Sequence, residues 1–463
     1  MRRSHVAAAA LAAALSAAPA WAQSEGGAVQ SSPYYGSVPQ GEATHAPLVL
    51  SLKDALSRGL QFNLGLLLQE EIARATHGAR WRTLADLLPR VSGSLRESRQ
   101  VLNLEAFGFP APDPIVGPFN VFDMRIGVSQ PILDLSALNA ARSASFTERA
   151  AASGVKSARE LVVLVSVNLY LEAVTAASRV DVVKAQQETA AALERQAQNL
   201  KTSGLVAGID VLRAQVQVQT QLQKRILADN ALEKAKLRLA RAIGVPPGQA
   251  ITLSDAVPYA PLAAVPLEQA LADAYAKRAD YQAAKDRMSA AEATLRAATM
   301  EYLPTLRLDA DYGTIGQTLA TTHPTYAVAA TVRVPIFEGG RTQGKKIEAD
   351  AAVKQRRAEL DDLRGRIDMD VRDALLDLTA AAQQVEVAAT TVSLAGQQLT
   401  QARNRFAAGV ASNLEVTQAQ EAVAAAADQH IDALYRHNVA KASLARALGD
   451  AEQAVTTFLG GTP

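Results

Sequence analysis

Apolar residues along most of the chain follow the spacing of long packed helices. Alternating steps of three and four residues across 416–447 pass ten positions, and eight of these are apolar and mostly small. The same steps across 211–242 again give eight apolar positions of ten, with Gln221 and Arg225 as the exceptions. This spacing is typical of a coiled-coil seam, and small side chains along the seam allow helices to pack closely.

The helices that this pattern predicts are very long. Their residues are mainly Ala, Leu, Gln, Glu, Lys and Arg, which favour helix. The longest of these helices would each contain more than 60 residues and, at a rise of ~1.5 Å per residue, would extend roughly 100 Å. Helices in ordinary domains average about 11–12 residues. A compact globule cannot contain such helices. The predicted helices are 52–88, 136–201, 208–245, 267–303, 340–406 and 412–449.

Four shorter segments between the helices alternate with a period of two, as strands do. The first, 91–101, alternates poorly, because Glu97 falls on its apolar face, and a long connection at 104–120 follows it. The other three segments, about 122–129, 306–313 and 325–334, separate apolar from polar residues cleanly. The charged residues that share the polar face are Arg125, Arg307, Asp309, Asp311 and Arg333.

The length and faces of these strands favour a membrane barrel. About ten residues suffice for a tilted crossing of the hydrocarbon, and a water-filled lumen would accept the charged face. A soluble sheet with one wet face is the alternative. In lipid, four strands leave open edges with unpaired backbone groups, so several copies would have to share one barrel. Two copies would give eight strands and three would give twelve.

The chain contains two tandem copies of this arrangement. The sequence LARAIG at 239–244 recurs as LARALG at 444–449, a shift of 205 residues. An internal repeat of this length indicates two similar structural units. The predicted organisation is a signal peptide at 1–22, an extended arm at 23–50, a first repeat at 51–246, a linker at 247–266, a second repeat at 267–449 and a tail at 450–463.

The N-terminus has the pattern of a secretory signal peptide. Arg2 and Arg3 precede an apolar run at 6–20, and Ala20-Trp21-Ala22 forms a small-x-small cleavage pattern. Without this peptide the chain has 45 basic and 46 acidic residues, so no electrostatic footprint for nucleic acid is expected. The chain has no cysteine, so we expect no disulfide and no cysteine-linked lipid anchor. The remaining sequence lacks an uninterrupted apolar stretch of ~18 residues, so spanning would use strands.

No motif for catalysis or metal binding is visible. The segment 339–345 has the spacing of a phosphate loop, but Lys346 follows where Ser or Thr would hold magnesium. The six histidines lack metal-ligand spacing beside acidic residues. We therefore expect neither an enzyme nor a bound cofactor or metal.

Three features of the sequence together are similar to those of a known protein family. They are the tandem repeat, the strand-to-helix junctions at Gln130-Pro131 and Val334-Pro335, and the turns at 203–210 and 408–415. On these features the chain resembles the TolC family of outer-membrane efflux proteins, over nearly all of 52–449. The resemblance implies a mainly α fold: a long α-helical coiled-coil barrel plus a 12-stranded β-barrel shared by a homotrimer in outer-membrane lipid.

The same resemblance implies a function. The chain would be the exit duct of a tripartite efflux system and would passively conduct small toxic molecules. Its partners would be a periplasmic adaptor and an inner-membrane transporter. Two alternatives stay open: an exit duct for type I protein secretion, and a periplasmic coiled-coil adaptor or scaffold.

The resemblance also carries residue roles at the periplasmic tip. The helix turns would dock the adaptor, although glycine suits a tight helix reversal whatever it touches. The residues that the resemblance assigns to adaptor docking are Gly204, Leu205, Val206, Gly409, Val410 and Ala411.

Acidic side chains near the start of the last helix narrow the channel in this family. The matching positions here are Glu415, Gln418 and Asp210. Gln418 replaces an acidic residue, and Ala411 replaces an arginine that helps to hold the tip closed in some members. Glu415 also fits a capping box that begins at Ser412, and the two roles are compatible.

Overall fold

The computed structural model describes residues 32–110, 112–204, 206–255, 259–263, 265–408, 410 and 413–458. The expected signal peptide at 1–22, and Leu205, Gly409 and Ala411 of the expected tips, lie outside these ranges. The elements in chain order are β1 Leu48–Leu50, α1 Leu52–Phe62, α2 Leu64–Leu84, β2 Arg90–Asn103, β3 Ile115–Leu133, α3 Leu135–Thr202, α4 Gly208–Ile243, β4 Ile251–Leu253, α5 Leu267–Lys277, α6 Ala279–Met300, β5 Thr305–Gly316, β6 Thr322–Arg333, α7 Arg341–Ala407, α8 Asn413–Ala447 and α9 Ala451–Phe458.

The two halves repeat one order of elements. In each half a pair of helices, two strands, a very long helix and a shorter helix follow one another. The long helices α3 and α7 contain 68 and 67 residues. The mainly α fold with two repeats is as the sequence predicts, and the four longest helices begin and end within two residues of their expected bounds.

The long helix α3 lies at the centre of the helical packing. Its N-terminal part packs against α2 and α6, and its C-terminal part packs against α4 and α8. An 18-residue window of α3 is apolar enough to cross a membrane by length and composition, but 61% of that window is buried inside the molecule. Val163, Val167 and Leu171 of α3 are buried in one core cluster with Leu56 of α1, so this part of α3 is a core segment.

The helices predicted at 52–88 and 267–303 are each broken in the structure. The first ends at Phe62 and restarts at Leu64, because the buried Asn63 side chain accepts hydrogen bonds from the backbone of the next turn. Its Nδ2 also donates to the backbone oxygens of Tyr34 and Ala242. The hydrogen bonds of the Asn63 side chain thus stabilise an interruption of the helix at this point.

The second break lies at Arg278, the position that corresponds to Asn63. Arg278 adopts non-helical backbone angles, and its guanidinium bonds Asp280 at 2.7 Å and Asp370 at 2.9 Å. Gly449 packs against this break, since a Cβ there would lie 2.6 Å from the backbone nitrogen of Arg278. The glycine of each repeated LARA segment therefore fits closely beside a helix break.

The four long strands form one antiparallel sheet in the order β2-β3-β5-β6. Strand β3 starts at Ile115, so the expected connection at 104–120 is shorter than predicted. The register between β2 and β3 shifts at Val101, opposite Gly117 and Pro118. Such a bulge accommodates the proline, which cannot donate a ladder hydrogen bond, and the pairing continues beyond it.

The described residues before α1 include a short 3-10 helix at Pro33–Tyr35 and the strand β1. Strand β1 pairs in parallel with β4 of the segment between the halves. Asp255 follows β4, accepts a 2.7 Å hydrogen bond from the Tyr170 hydroxyl and accepts another from the backbone of Leu52. These contacts fasten the segment after β4 to α1 and to α3.

Candidate functional site

The polar face of the sheet carries a charged cluster centred on Arg125. Its Nε lies 2.8 Å from Asp123 on the same strand, and its Nη1 lies 2.6 Å from Asp311 on the neighbouring strand. Residues two apart on a strand share a face, and Gly127 pairs with Asp311, so the register brings the three charges together. The cluster lets the polar face hold charges without leaving them unpaired.

The other three predicted charges line one cavity at the end of the sheet next to the helices. Arg307, Asp309 and Arg333 lie on the walls of this space of about 830 Å³, and Arg307 also donates to Ser129 at 3.2 Å. Sequence reasoning missed the charges that the strand-to-helix junctions add to the same cavity, because they lie outside the alternating segments. These are Asp86, Arg90, Asp134, Glu301, Glu338 and Arg341.

The opposite face of the sheet exposes large apolar side chains. Tyr326 is 78% exposed and Val328 is 67% exposed, and Val332 and Leu95 are exposed on the same face. Tyr326 stands opposite Tyr312 across β5 and β6. A large exposed apolar surface of this kind is unusual on a protein in water and suits contact with hydrocarbon.

Gly313 lies on β5 beside Arg125, at a position where a side chain would clash with the arginine. It pairs with Arg125, and a Cβ at Gly313 would lie 2.3 Å from the backbone oxygen of Met124 and 2.6 Å from Cγ of Arg125. The absence of a side chain lets the arginine pass over β5 to Asp311. Gly127 lies in the same sheet but has room, since its nearest neighbour would be 3.8 Å away.

We expect Gly313→Ala to destabilise the sheet by about 1–3 kcal/mol, the usual cost of overpacking. Gly127→Ala is the matched control and should change stability little. Both variants can be compared by the thermal midpoint of the assembled protein in detergent. Equal midpoints for the two variants would show that the close approach at Gly313 does not constrain the sheet.

The two edges of the sheet have no partner strand among the residues that the structure describes. Strands β2 and β6 are the outer members, and each offers a row of backbone groups along one side. Among the described residues, the helices α4 and α7 are likewise the outer members of the helical part, since α4 packs mainly on α3, and α7 packs mainly on α6 and α8.

The outer surfaces of α4 and α7 carry matching apolar stripes. On α7 the exposed Met369, Leu376, Val387 and Leu394 follow one another at intervals of 7, 11 and 7 residues. These intervals keep side chains on one face of a helix with 3.6 residues per turn. On α4 the exposed Ile209, Val216 and Leu227 repeat the intervals of 7 and 11 residues.

The structure describes Gly204 and Val206 at the first helix reversal and Val410 at the second. At the first, Gly204 has φ +71°, and its amide donates to the carbonyl of Lys201 at 2.9 Å. Val206 beside it is half-buried. At the second, the amide of Val410 donates to the carbonyl of Arg405, and the Val410 side chain is 68% exposed. Both reversals thus satisfy helix-end carbonyls.

The acidic residues near these reversals have arginine neighbours. Glu415 lies 3.3 Å from Nε of Arg405, which links α8 to α7 across the second reversal. Asp210 lies 3.4 Å from Arg213 on its own helix, and Gln418 is exposed. Ser412, the expected cap partner of Glu415, is outside the described residues. Sequence reasoning missed Arg405, whose pairing depends on how the hairpin folds back.

Long helical hairpins joined to a sheet with one charged face and one apolar face are typical of a membrane channel protein. The chain belongs to the outer membrane efflux protein family, whose model matches residues 72–245 and 270–450. The predicted family and outer-membrane location are confirmed, and so is the expectation that the protein is not an enzyme. The alternative of a periplasmic adaptor or scaffold is not supported.

Several curated proteins are similar to this chain. Protein CyaE of Bordetella pertussis is 27% identical over 64% of this chain, and the match spans 63% of CyaE. The alkaline protease secretion protein AprF of Pseudomonas aeruginosa is 22% identical over 86% of this chain and 85% of its own length. The pyoverdine export outer membrane protein OpmQ of Pseudomonas putida is 24% identical over 80% of this chain and 79% of its own length.

Solved structures share the fold. The outer membrane protein VceC of Vibrio cholerae has a TM-score of 0.76 at 19% identity, and the match covers 86% of this chain and 96% of VceC. The open state of the MtrE outer membrane channel of Neisseria gonorrhoeae has a TM-score of 0.73 at 18% identity, covering 90% of this chain and 95% of MtrE. At these identities the likeness establishes the fold alone.

Proposed function

We propose that this chain is the exit duct of a tripartite efflux system. Three copies would close a twelve-stranded barrel in the outer membrane, and their helices would continue the duct through the periplasm. Small toxic molecules, delivered by an inner-membrane transporter through a periplasmic adaptor, would pass through it passively. The outer-membrane efflux family supports the class of function, and the contacts below support the assembly.

The observation that carries the proposal is the sheet with two open edges and one apolar face. Backbone groups at an edge have no water to bond in hydrocarbon, so a membrane sheet must close on itself. Since β2 and β6 are the open edges, β6 of one copy would pair with β2 of the next. The charged face, with Arg125 and Asp311 paired, would then line a water-filled lumen.

The helical part supports the same neighbours. Leu227 of α4 lies 19 residues from the start of its helix, and Val387 of α7 lies 20 residues from the end of its own. Both distances are counted from the reversals, so the two apolar side chains lie at about the same height, near 30 Å from the tip. Contact between α4 of one copy and α7 of the next would bury both stripes.

The tip would be the narrowest part of the duct and the place where the adaptor docks. At the reversals Val410 is exposed and Val206 is half-buried. An exposed apolar group such as Val410 suits docking of a partner hairpin. Asp210, Glu415 and Gln418 would face the constriction. The ion pair between Arg405 and Glu415 would partly neutralise this ring, so cation preference would be lower than the acidic residues alone provide.

The test of this proposal is conduction across a planar bilayer. The purified protein should form pores, and Asp210→Asn with Glu415→Gln should lower the ratio of cation to anion permeability about twofold or more, because the field of fixed charges concentrates counter-ions. Arg405→Gln should raise the ratio, since it leaves Glu415 unpaired. Glu421→Gln, an exposed acid farther along α8, is the control.

Absence of pores in the bilayer would contradict the exit duct itself. Pores whose ion preference is unchanged both in the double variant Asp210→Asn with Glu415→Gln and in Arg405→Gln would instead contradict only the assigned constriction. In that case Glu415 would serve the helix end alone.

The duct could also serve protein secretion, and one observation favours testing this second use. AprF, which is named for alkaline protease secretion, aligns with 86% of this chain. Deleting the gene in its host separates the two uses. Greater sensitivity to toxic small molecules with unchanged secreted proteins supports efflux, whereas loss of a secreted protein alone supports secretion.

A further inference from the structure

The helices next to the sheet pack in the same way in both halves of the chain. Leu66 of α2 is buried in one core cluster with Val162 of α3, and Tyr281 of α6 is buried in another with Ile367 of α7. Tyr281 follows Leu66 by 215 residues, and Ile367 follows Val162 by 205 residues. Because these helices are continuous, the two offsets give each residue of α2 and α3 a counterpart in α6 and α7.

One contact of this pattern has no counterpart inside the chain. The helices α2, α3, α6 and α7 touch in that order, so α3 has α2 on one flank and α6 on the other. By the repeat, α7 corresponds to α3, and its contact with α6 corresponds to the contact of α3 with α2. The counterpart of α6 on the other flank of α7 would be an α2 helix. Among the described residues, α2 of the same chain packs mainly on α3.

The contact between α3 and α6 shows what such an interface contains. The Ser143 hydroxyl of α3 donates to the carbonyl of Ala290 at 2.9 Å and lies 2.9 Å from the hydroxyl of Thr294. Arg149 of α3 pairs with Asp286 of α6 at 3.3 Å. Steps of three and four residues from Asp286 stay on one side of α6. The buried alanines at these steps are Ala283, Ala290, Ala293 and Ala297.

The matching side of α2 is exposed. The residues at the corresponding steps, all of them exposed, are Leu68, Glu71, Ala75, Gly78 and Arg82. A Cβ at Gly78 would meet no atom within 4 Å, whereas the counterpart of Gly78, Ala293, is fully buried. Small residues at this point would let another helix approach closely. A side that is covered in one half and open in the other indicates a covering surface from outside the chain.

The charges on the two open sides follow the contact between α3 and α6. Glu71 of α2 stands where α6 has an acid, and Lys354 of α7 stands where α3 has a base. Within the chain, Glu71 pairs with Arg74 and Lys354 pairs with Asp350. Both are exposed pairs within one helix, and such pairs contribute little to stability. The retained signs favour an ion pair between α2 and α7.

We propose that the side of α2 that carries Glu71 and Gly78 packs on α7 of a neighbouring copy, where Glu71 pairs with Lys354 of that copy. A second copy of this chain fits because the contact repeats, helix for helix, one that the chain makes within itself. It joins the same two copies whose β6 and β2 would pair, since β2 follows α2 and β6 precedes α7. This contact depends on the assembly proposed above and adds the residues that join the copies beside the membrane.

Charge reversal with rescue tests the ion pair. Glu71→Lys and Lys354→Glu should each lower the temperature at which half of the assembled protein in detergent dissociates by about 2–4 °C, because like charges then meet in every copy. The combined variant should regain most of this loss. It cannot restore the local pairs with Arg74 and Asp350, so the recovery reports the contact between copies.

Glu71→Lys combined with Arg366→Glu is the matched control. Arg366 is also an exposed base of α7, but it lies 12 residues, or about 18 Å, from Lys354. This combination should give no recovery.

A disulfide tests the same contact by a second route. Ala79 is the counterpart of Thr294, and Glu348 is the counterpart of Ser143. Since the two hydroxyl oxygens of the template pair are close, Ala79→Cys with Glu348→Cys should form a disulfide on oxidation. Because α3 and α6 separate α2 from α7 within one chain, the products must be covalent dimers and trimers. Arg74→Cys with Glu348→Cys should give monomer, since Arg74 lies on another side of α2.

Monomer alone from the oxidised Ala79 and Glu348 variant would overturn the contact. A combined charge variant that is no more stable than the single variants would overturn the ion pair. If the same preparations still form pores in the bilayer, the exit duct stands and only this inference is wrong. An unaltered protein that neither assembles nor forms pores would overturn both.

Discussion

Val328→Arg is expected to prevent stable insertion of the assembled protein into the outer membrane. Val328 lies on the apolar face of β6 and is highly exposed there. An arginine that faces lipid near mid-depth costs about 2–4 kcal/mol, and the cost recurs in every copy of the assembly. Heat-resistant assembled protein in outer-membrane fractions should fall about tenfold or more.

Ala329→Arg is the matched control for this prediction. Ala329 is the next residue of the same strand, so its side chain points to the opposite face. It pairs with Asp309, on the charged side of the sheet, where an arginine can be hydrated or can pair with the carboxylate. If both variants insert equally well, or if only Ala329→Arg fails, the assignment of the two faces is wrong.

Leu376→Glu combined with Val387→Glu is expected to break the assembly in the helical region. The two side chains are 67% and 66% exposed in the single chain and belong to the apolar stripe of α7. If a neighbouring copy covers that stripe, each carboxylate would be buried without a partner, which costs several kcal/mol. The measurement is the mass of the detergent-solubilised protein, which should shift from the assembled form to smaller species.

Ser393→Glu tests the specificity of this effect. Ser393 is exposed on the same helix but lies outside the stripe, so a carboxylate there should stay in water. The assembly should survive this change. An unaltered mass for the double variant would contradict contact through the stripe of α7.

The long helices could be predicted from the sequence because their pattern is strong and local. Apolar residues at steps of three and four, with favourable helix formers between them, fixed α3, α4, α7 and α8 to within two residues at each end. The repeat of 205 residues then predicted the order of elements in both halves.

The breaks at Asn63 and Arg278 could not be predicted, because their causes are distant in sequence. Asn63 bonds the carbonyl of Ala242, which lies 179 residues away. Arg278 bonds Asp370, which lies 92 residues away. Helix propensity favours continuous helix at Arg278, and tertiary hydrogen bonds override it there. Asparagine is a weaker helix former that suits an N-cap, so at Asn63 the tertiary bonds reinforce a local preference.

The charged cluster of the sheet could be predicted only in part. Alternation assigned Arg125 and Asp311 to the same kind of face, but only the register between β3 and β5 brings them to 2.6 Å. The pair between Arg405 and Glu415 depends on the path of the second reversal in the same way. Gln221 was visible as an exception in the helix pattern, but its burial depends on how the helices pack.

The central claim is that the four-stranded sheet is completed by sister subunits, and disulfide cross-linking tests it most directly. The chain has no cysteine, so any disulfide must come from introduced residues. Ser94→Cys on β2 would be combined in turn with Thr325→Cys, Ala327→Cys or Ala329→Cys on β6, and oxidised membranes would be separated on a denaturing gel. The account predicts that at least one pair yields a covalent trimer that reduction returns to monomer. A largest product that is a dimer, or monomer alone for every pair, would contradict it.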